Sequence, residues 1–561
     1  MIKKLTKYII FLFFIFSLIG CSGYKPFVPP LPVPDDRNPV SKPAFKSAPN
    51  DFYDAFNQQF VLQGEQMMDF PRGYRKLTGN PKEAWNADAF GEVPNSSWFT
   101  NRNHQKRFPL DQIARGPDTS DGPDASSTWK VVSAKAEGVT PGFTIIDSRG
   151  DKYVIKFDPI GYDGLNSGAE VIGSKLFYAA GYNVPENYIT FFDTRILKLG
   201  DKVKFTDEKG SRRFMNDTDL ADILKRIEYQ PNGLVRATAS KYIEGSVLGP
   251  FHYEETRQDD PNDFIPHQHR RELRGLKVLA VWLNHIDAKA ANSMDSYSGE
   301  EPEGWVKHYL IDFGTILGSG GRGPQPKYRS YENEMDPQAL LWRTITLGLY
   351  VPGWDKVPKQ VDYPCIGRFY SDYYHPEKFK FIFPNPAFDN QTSVDGYWGA
   401  KIVMSFTDEQ IRAAVEQARY PDPDAAEVLI KTLIERRDIT GSYWFTRVAP
   451  LDNFHLFEDK NGSQMLAFLD LAVETGLEKQ EDSTYRYSVK RNGDFVVQPR
   501  VIGSIRVITL PETEAGLAPG DQWEINLQVK RSSSKKYSPL VRIYLVQEYG
   551  HYRLLGIQRE G

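Results

Sequence analysis

The stretch LNHIDAKAANSMD, residues 283–295, gathers His285, Asp287, Lys289 and Asn292 into a polar run directly after an apolar one. A carboxylate, an ammonium and a carboxamide at this spacing suit two purposes. They can cap and solvate the loop behind a helix. Or they can handle a phosphoryl group, the carboxylate orienting a nucleophile and the ammonium meeting negative charge. Three residues elsewhere bear on the choice: Lys156 in VIKFD, Glu170 in SGAEVIGSKLF and Asp312 in HYLIDFG. Taken singly, each has an ordinary explanation. A strand lysine is usually solvated, a glutamate early in a helix is favoured by the helix dipole, Asp-Phe-Gly makes a turn, and a histidine packs.

The elements that must position these residues can be read from hydrophobic period and turn chemistry. WKVVSAKA, FTIIDS and KYVIKFD, separated by EGVTPG and RGD, read as a three-stranded meander that places Lys156 in its third strand. SGAEVIGSKLFYAAG follows as a helix, with Val171, Leu176 and the Ala179–Ala180 pair at helical intervals and Gly181 as its stop. YITFFDTRIL and VRATASKYIEG read as further strands on either side of a polar insert at 199–232. RRELRGLKVLAVWLNH aligns Leu273, Leu276, Leu279 or Ala280, and Leu283 on one face, so a helix delivers the 283–295 run. HYLIDFG is a short strand ending in a polar turn. Residues 335–445 read as mainly helical, and the last hundred or so as six strands of a small antiparallel sandwich.

Strands, one helix, more strands and a helical half is an order that resembles the two-lobed protein-kinase-like superfamily over roughly residues 129–445. The resemblance rests on Lys156, Glu170, Asp287, Asn292 and Asp312 falling in sequence on the element types that fold uses. It implies a fold of class α+β, kinase-like and two-lobed, followed by the all-β domain. It also implies ATP and Mg as cofactors. Lys156 would reach the nucleotide phosphates, held extended by Glu170. Asp287 would orient or deprotonate the acceptor hydroxyl, and Lys289 would neutralise the phosphoryl group in transit. Asn292 and Asp312 would offer oxygen to the hard cation.

The chain also departs from the pattern. Where protein kinases carry a glycine-rich loop, KAEGVTPGF has only Gly138 and Gly142, and Pro141 removes a backbone donor. Ile286 stands where many protein kinases have arginine, and no APE-type signature follows GTILGSGGRGPQPKYRSYENE. These gaps are more similar to the atypical branches, phosphatidylinositol-kinase-like, HipA-like or CotH-like. Three readings follow: phosphoryl transfer, adenylyl transfer at the same site, or a catalytically inactive kinase-like scaffold that binds a partner.

The N-terminus sets the compartment. Lys3, Lys4 and Lys7 precede IIFLFFIFSLI, an apolar run shorter than the roughly 20 residues a spanning helix needs. Leu18-Ile19-Gly20-Cys21 resembles the lipobox of bacterial lipoproteins, which implies lipidation at Cys21 and anchoring in the cell envelope. Ser22 after it favours the outer membrane. The only other cysteine is Cys365, so a lipidated chain has no intramolecular disulfide. Loss of the three signal lysines takes the formal charge from −4 to about −7, a balance that argues against nucleic acid as a partner. The expected organisation is a signal peptide (1–20), a Pro-rich tether (21–50), an extension packing on the core (51–128), two kinase-like lobes (129–250 and 251–448) and the β domain (449–561). The acceptor, a protein, a lipid or another envelope component, is not legible.

Overall fold

The computed structural model describes residues 24–47, 51–135, 142–206, 211–512 and 521–561. The chain divides into two compact units. Among the described residues, the larger takes 31–450 with 471–479 and the last two residues, and the smaller takes 24–30 with 451–470 and 480–559.

The larger unit opens its sheet with the expected meander: β1 (Trp129–Lys135), β2 (Gly142–Ile146) and β3 (Lys152–Lys156), paired antiparallel. The meander is the centre of a seven-stranded sheet completed by β4 (Asn187–Phe192), β5 (Leu197–Thr206), β6 (Arg212–Phe214) and β7 (Val235–Lys241), in the order β4-β7-β3-β2-β1-β5-β6. The polar insert is therefore not a loop. Its lysine-rich β5 pairs parallel to β1, with Leu197, Val203 and Phe205 buried in the core and Lys198, Lys202 and Lys204 exposed.

Helix α1 (Leu165–Ala180) packs against β4 and β7 and is buried almost all round. Its start is set by Asp158, whose carboxylate accepts from the backbone N–H of Gly164, Asn166 and Ser167 at 2.7–2.9 Å. Gly181 ends it at φ +124°, where a Cβ would sit 2.3 Å from the Phe99 ring. Trp98, Phe99 and Ile113, from the segment before the sheet, belong to the core that covers α1.

The second half of this unit is built on α2 (Arg271–Trp282), α3 (Ser393–Met404), α4 (Asp408–Glu416) and α5 (Pro423–Phe445). α2 and α3 cross where Gly399 faces the Gly275 carbonyl, so closely that a Cβ on Gly399 would lie 2.6 Å from that oxygen. Residues 346–385, expected to be mainly helical, carry only single turns at Gly353–Lys356 and Pro376–Lys378. Prolines at 352, 358, 364, 376 and 384 remove the donors a longer helix needs. A three-stranded antiparallel sheet joins β8 (Ser246–Gly249), before α2 in sequence, to β9 (Ser293–Ser298) and β10 (Trp305–Leu310), which follow it.

The smaller unit is all-β, with eight strands among the described residues where six were expected. Leu451–Glu458, Gln464–Asp470 and Val507–Thr509 form one antiparallel sheet. Asp494–Gly503, Ser483–Arg491, Gln522–Arg531, Val541–Glu548 and His551–Arg559 form another. Asp494–Gly503 carries Pro499, which only an edge strand tolerates, and its largely exposed side chains leave no alternation to read. The run QMLAFLDLAVE is a strand only to Asp470; its last residues turn into a short helix. Asp470 ties the two sheets, accepting from the Tyr485 hydroxyl at 2.9 Å and from Arg531 at 2.7 and 2.8 Å.

The Pro-rich segment, expected to stand as a spacer, is extended but docked from residue 24 onward. Phe27 stacks on Tyr544 at 4.3 Å within the smaller unit. Further on, Val40 and Lys46 donate backbone hydrogen bonds to Gly304 and Leu248 of the larger unit. The architecture is α+β: a unit with a seven-stranded sheet followed by a mainly helical half, and an all-β unit of antiparallel sheets.

Candidate functional site

The site is assembled from the ends of β3, α1, α2 and β10. Lys156 closes β3 and reaches two carboxylates at once, donating to Asp312 Oδ1 at 2.8 Å and Glu170 Oε2 at 3.3 Å. Glu170 is buried on α1, and its second oxygen accepts from the Phe313 backbone N–H at 3.1 Å. One glutamate thus holds both the lysine and the turn that carries Asp312. Phe313 fixes that turn from the other side, stacked on Phe177 of α1 at 4.9 Å. The geometry leaves no room around it: a Cβ at Gly173 would meet Phe313 at 2.6 Å.

α2 ends where Asn284 takes a left-handed φ of +57°, and the chain turns into the 285–292 loop. The Asn292 amide donates to the Asp287 carbonyl at 2.8 Å and to its carboxylate at 3.1 Å. Lys289 Nζ stands 3.3 Å from Asp287 Oδ1. Asn385 and Ile382 hold the loop from behind, donating to the carbonyls of Ala288 and Ile286. The loop is tied to the Asp312 turn by the Ile311 N–H, which donates to the Asn292 carbonyl at 3.1 Å.

Electrostatics join the two halves. Lys156 holds Asp312 below its ordinary carboxylate range. Burial alone would lower the Lys156 ammonium, but Asp312 and Glu170 outweigh it and raise the pKa. Burial raises Glu170 and Asp287; Lys156 opposes the first shift, and Lys289 and the Asn292 amide oppose the second. The charge of Asp312 adds to the rise at Asp287, and Lys289 adds to the lowering at Asp312, so both groups of residues face one field.

The donor set fits a hard cation. Asn292 uses its amide N–H for Asp287, and Asp312 uses one carboxylate oxygen for Lys156. The Asn292 Oδ1 and the Asp312 Oδ2 accept no hydrogen bond from the described residues. Mg²⁺ is ordinarily held by one or two such protein oxygens, with nucleotide phosphates completing its shell.

Lys156, Glu170, Asp287, Lys289, Asn292 and Asp312 are therefore brought together. Gly142 is not a loop glycine: it is the first residue of β2, opposite Lys156, where a Cβ would lie 2.8 Å from the Ile155 carbonyl. Close strand approach accounts for it. Gly138 and Cys21 lie outside the described residues. His285 is a packed histidine, edge-on to Phe177 and Phe313, with burial lowering its pKa to about 4.

Sequence reasoning missed two positioning residues. Asp158 caps α1 and so sets where Glu170 stands. Arg236, buried on β7, lies 3.7 Å from Asp158 and donates to the Ser167 hydroxyl at 2.9 Å and to the carbonyls of Ala418 and Arg419, joining the sheet to the helical half. An aspartate a few residues before a predicted helix was a signal for the first. Nothing in the sequence marks the second.

No family model and no curated protein sequence matches the chain. Among solved structures it is similar to the Helicobacter pylori proinflammatory kinase CtkA, at 13% identity over 54% of this chain and 92% of that one, TM-score 0.27. It is similar to the Golgi casein kinase at 9% identity over 73% and 95%, TM-score 0.27. The same kinase with Mn/ADP bound matches at 10% identity over 72% and 94%, TM-score 0.26. At scores this low the likeness carries no argument, and the geometry of the site stands on its own.

Proposed function

We propose that the chain is an atypical kinase-like phosphotransferase that uses ATP and Mg²⁺ to modify a protein, lipid or other acceptor of the bacterial cell envelope, anchored through lipidated Cys21. The observation that supports it is the Lys156 ammonium held between Glu170 and Asp312, next to a loop in which Asp287 is paired with Lys289 and Asn292.

On this reading Lys156 binds the nucleotide phosphates, and Glu170 keeps it extended once they replace Asp312 as its partner. Asn292 and Asp312 would hold Mg²⁺, which would supply neutralisation of phosphate charge. Asp287, its pKa raised by burial, takes the proton of the acceptor hydroxyl, and Lys289 meets the charge that develops on the phosphoryl oxygens.

The test is a thermal-shift titration of the full chain in detergent with ATP and Mg²⁺. Melting should rise for the wild type and for Asp287→Asn, and not for Asp312→Ala. Asp287→Asn should lower transfer at least about a hundredfold. Wild type and Asp312→Ala behaving alike would sink the reading. Mass spectrometry after incubation with ATP separates phosphate from adenylate on the product. A second reading, a catalytically inactive binding scaffold, is favoured by Pro141 and the sparse glycines before β2. It predicts a nucleotide shift or none, with no transfer in either case.

A further inference from the structure

Beside the 285–292 loop the larger unit has a small cavity of about 50 Å³, lined by Asn284 and by the residues that follow the Asp312 turn. Five cations line it, Lys327, Arg329, Arg368, Lys378 and Arg436, and no carboxylate among the described residues does. Lys327 and Arg329 have acidic partners outside the lining, Asp355 and Glu334. The other three have no carboxylate partner among the described residues. Arg368 spends its guanidinium on the backbone carbonyls of Pro358, Lys359 and Gln325.

Arg436 is the informative one. It is buried, stacked between Phe369 at 4.1 Å and Tyr374 at 4.0 Å, and donates one Nη to the Val281 carbonyl at 2.8 Å. Its Nε has no hydrogen-bond partner among the described residues. A buried guanidinium with neither a counter-charge nor a full set of acceptors is costly unless something supplies both. Burial lowers its pKa only to about 10, so it stays charged at neutral pH.

We infer that this cavity is a binding site for a compact oxyanion of the phosphate type. Its size admits one such group, and planar guanidinium and flexible ammonium donors converge on it from separate segments. Asn284 lines it three residues before Asp287 and is held by Gln325, at 3.0 Å. If the phosphotransferase reading holds, the oxyanion is carried by the acceptor, since the cavity adjoins the loop that would take the acceptor's proton. The site itself does not depend on that reading.

The experiment is calorimetric titration of the full chain in detergent with inorganic phosphate, and separately with glycerol 1-phosphate, without nucleotide or Mg²⁺. Wild type and Lys156→Met should bind phosphate alike. Lys378→Ala, an exposed residue whose loss leaves the fold intact, should weaken binding about tenfold, and Arg436→Met should abolish it. Binding of the ester as well assigns the site to an esterified phosphate; binding of inorganic phosphate alone assigns it to the free ion. No binding, or binding lost in Lys156→Met and kept in Lys378→Ala, overturns the inference. Phosphate binding with no response to ATP and Mg²⁺ would leave this site standing and remove the phosphotransferase reading instead.

Discussion

Asp312 adopts a left-handed φ of +65°, a conformation aspartate tolerates better than most residues, and from it reaches Lys156. Gly314 lies against the same carboxylate cluster: a Cβ there would stand 3.2 Å from Glu170 Oε2. At this scale the histidines make a pH prediction. Burial lowers His285 and His269 to about 4 and His104 to about 3, from an ordinary 6.5. They stay neutral in the folded chain while the unfolded chain protonates below pH 6.5. Their contribution is therefore complete above 6.5 and is lost as pH falls toward 4, on the order of 3 kcal/mol for a fully buried one. Melting temperature should fall through that window, and His285→Leu should flatten the fall. An unchanged slope would show that His285 is not among the groups responsible.

Among the elements, two close approaches carry the site. α1 meets the Asp312 turn at Gly173, and α2 meets α3 at Gly275 and Gly399. Gly399→Ala should cost about 1–3 kcal/mol, because the atom it would strike is backbone and cannot swing away. Gly173→Ala should cost a similar amount and also weaken the ATP response, since it displaces Phe313 and with it Asp312. Thermal melting with and without nucleotide separates the two effects. That α1 is a helix was legible from its period. That it is covered on every side was not, because burial from several neighbours leaves no polar face to read. The strands of the smaller unit show the same limit: those with buried alternation were legible, and the exposed edge strand with Pro499 was not.

At the scale of the whole molecule, the proposed lipid anchor at Cys21 makes a localisation prediction. Cys21→Ser should move the protein from the membrane pellet to the soluble fraction, and labelled fatty acid should enter the wild type only. A soluble wild type would rule the anchor out.

The sequence by itself determined the residue types, their order and the elements that bear them. Lys156 at a strand end, Glu170 on a helix and Asp287 and Asn292 behind another are local matters of period and turn chemistry. Only the tertiary structure decided which of them touch. Lys156 and Asp312 lie 156 positions apart in sequence, yet meet at 2.8 Å. The physical reason is that contact depends on packing: Asp158 sets the start of α1, Phe313 wedges against Phe177, and Arg236 joins sheet to helices. The oxyanion cavity is wholly of this kind, since its cations come from separate segments and carry no spacing that a sequence could display.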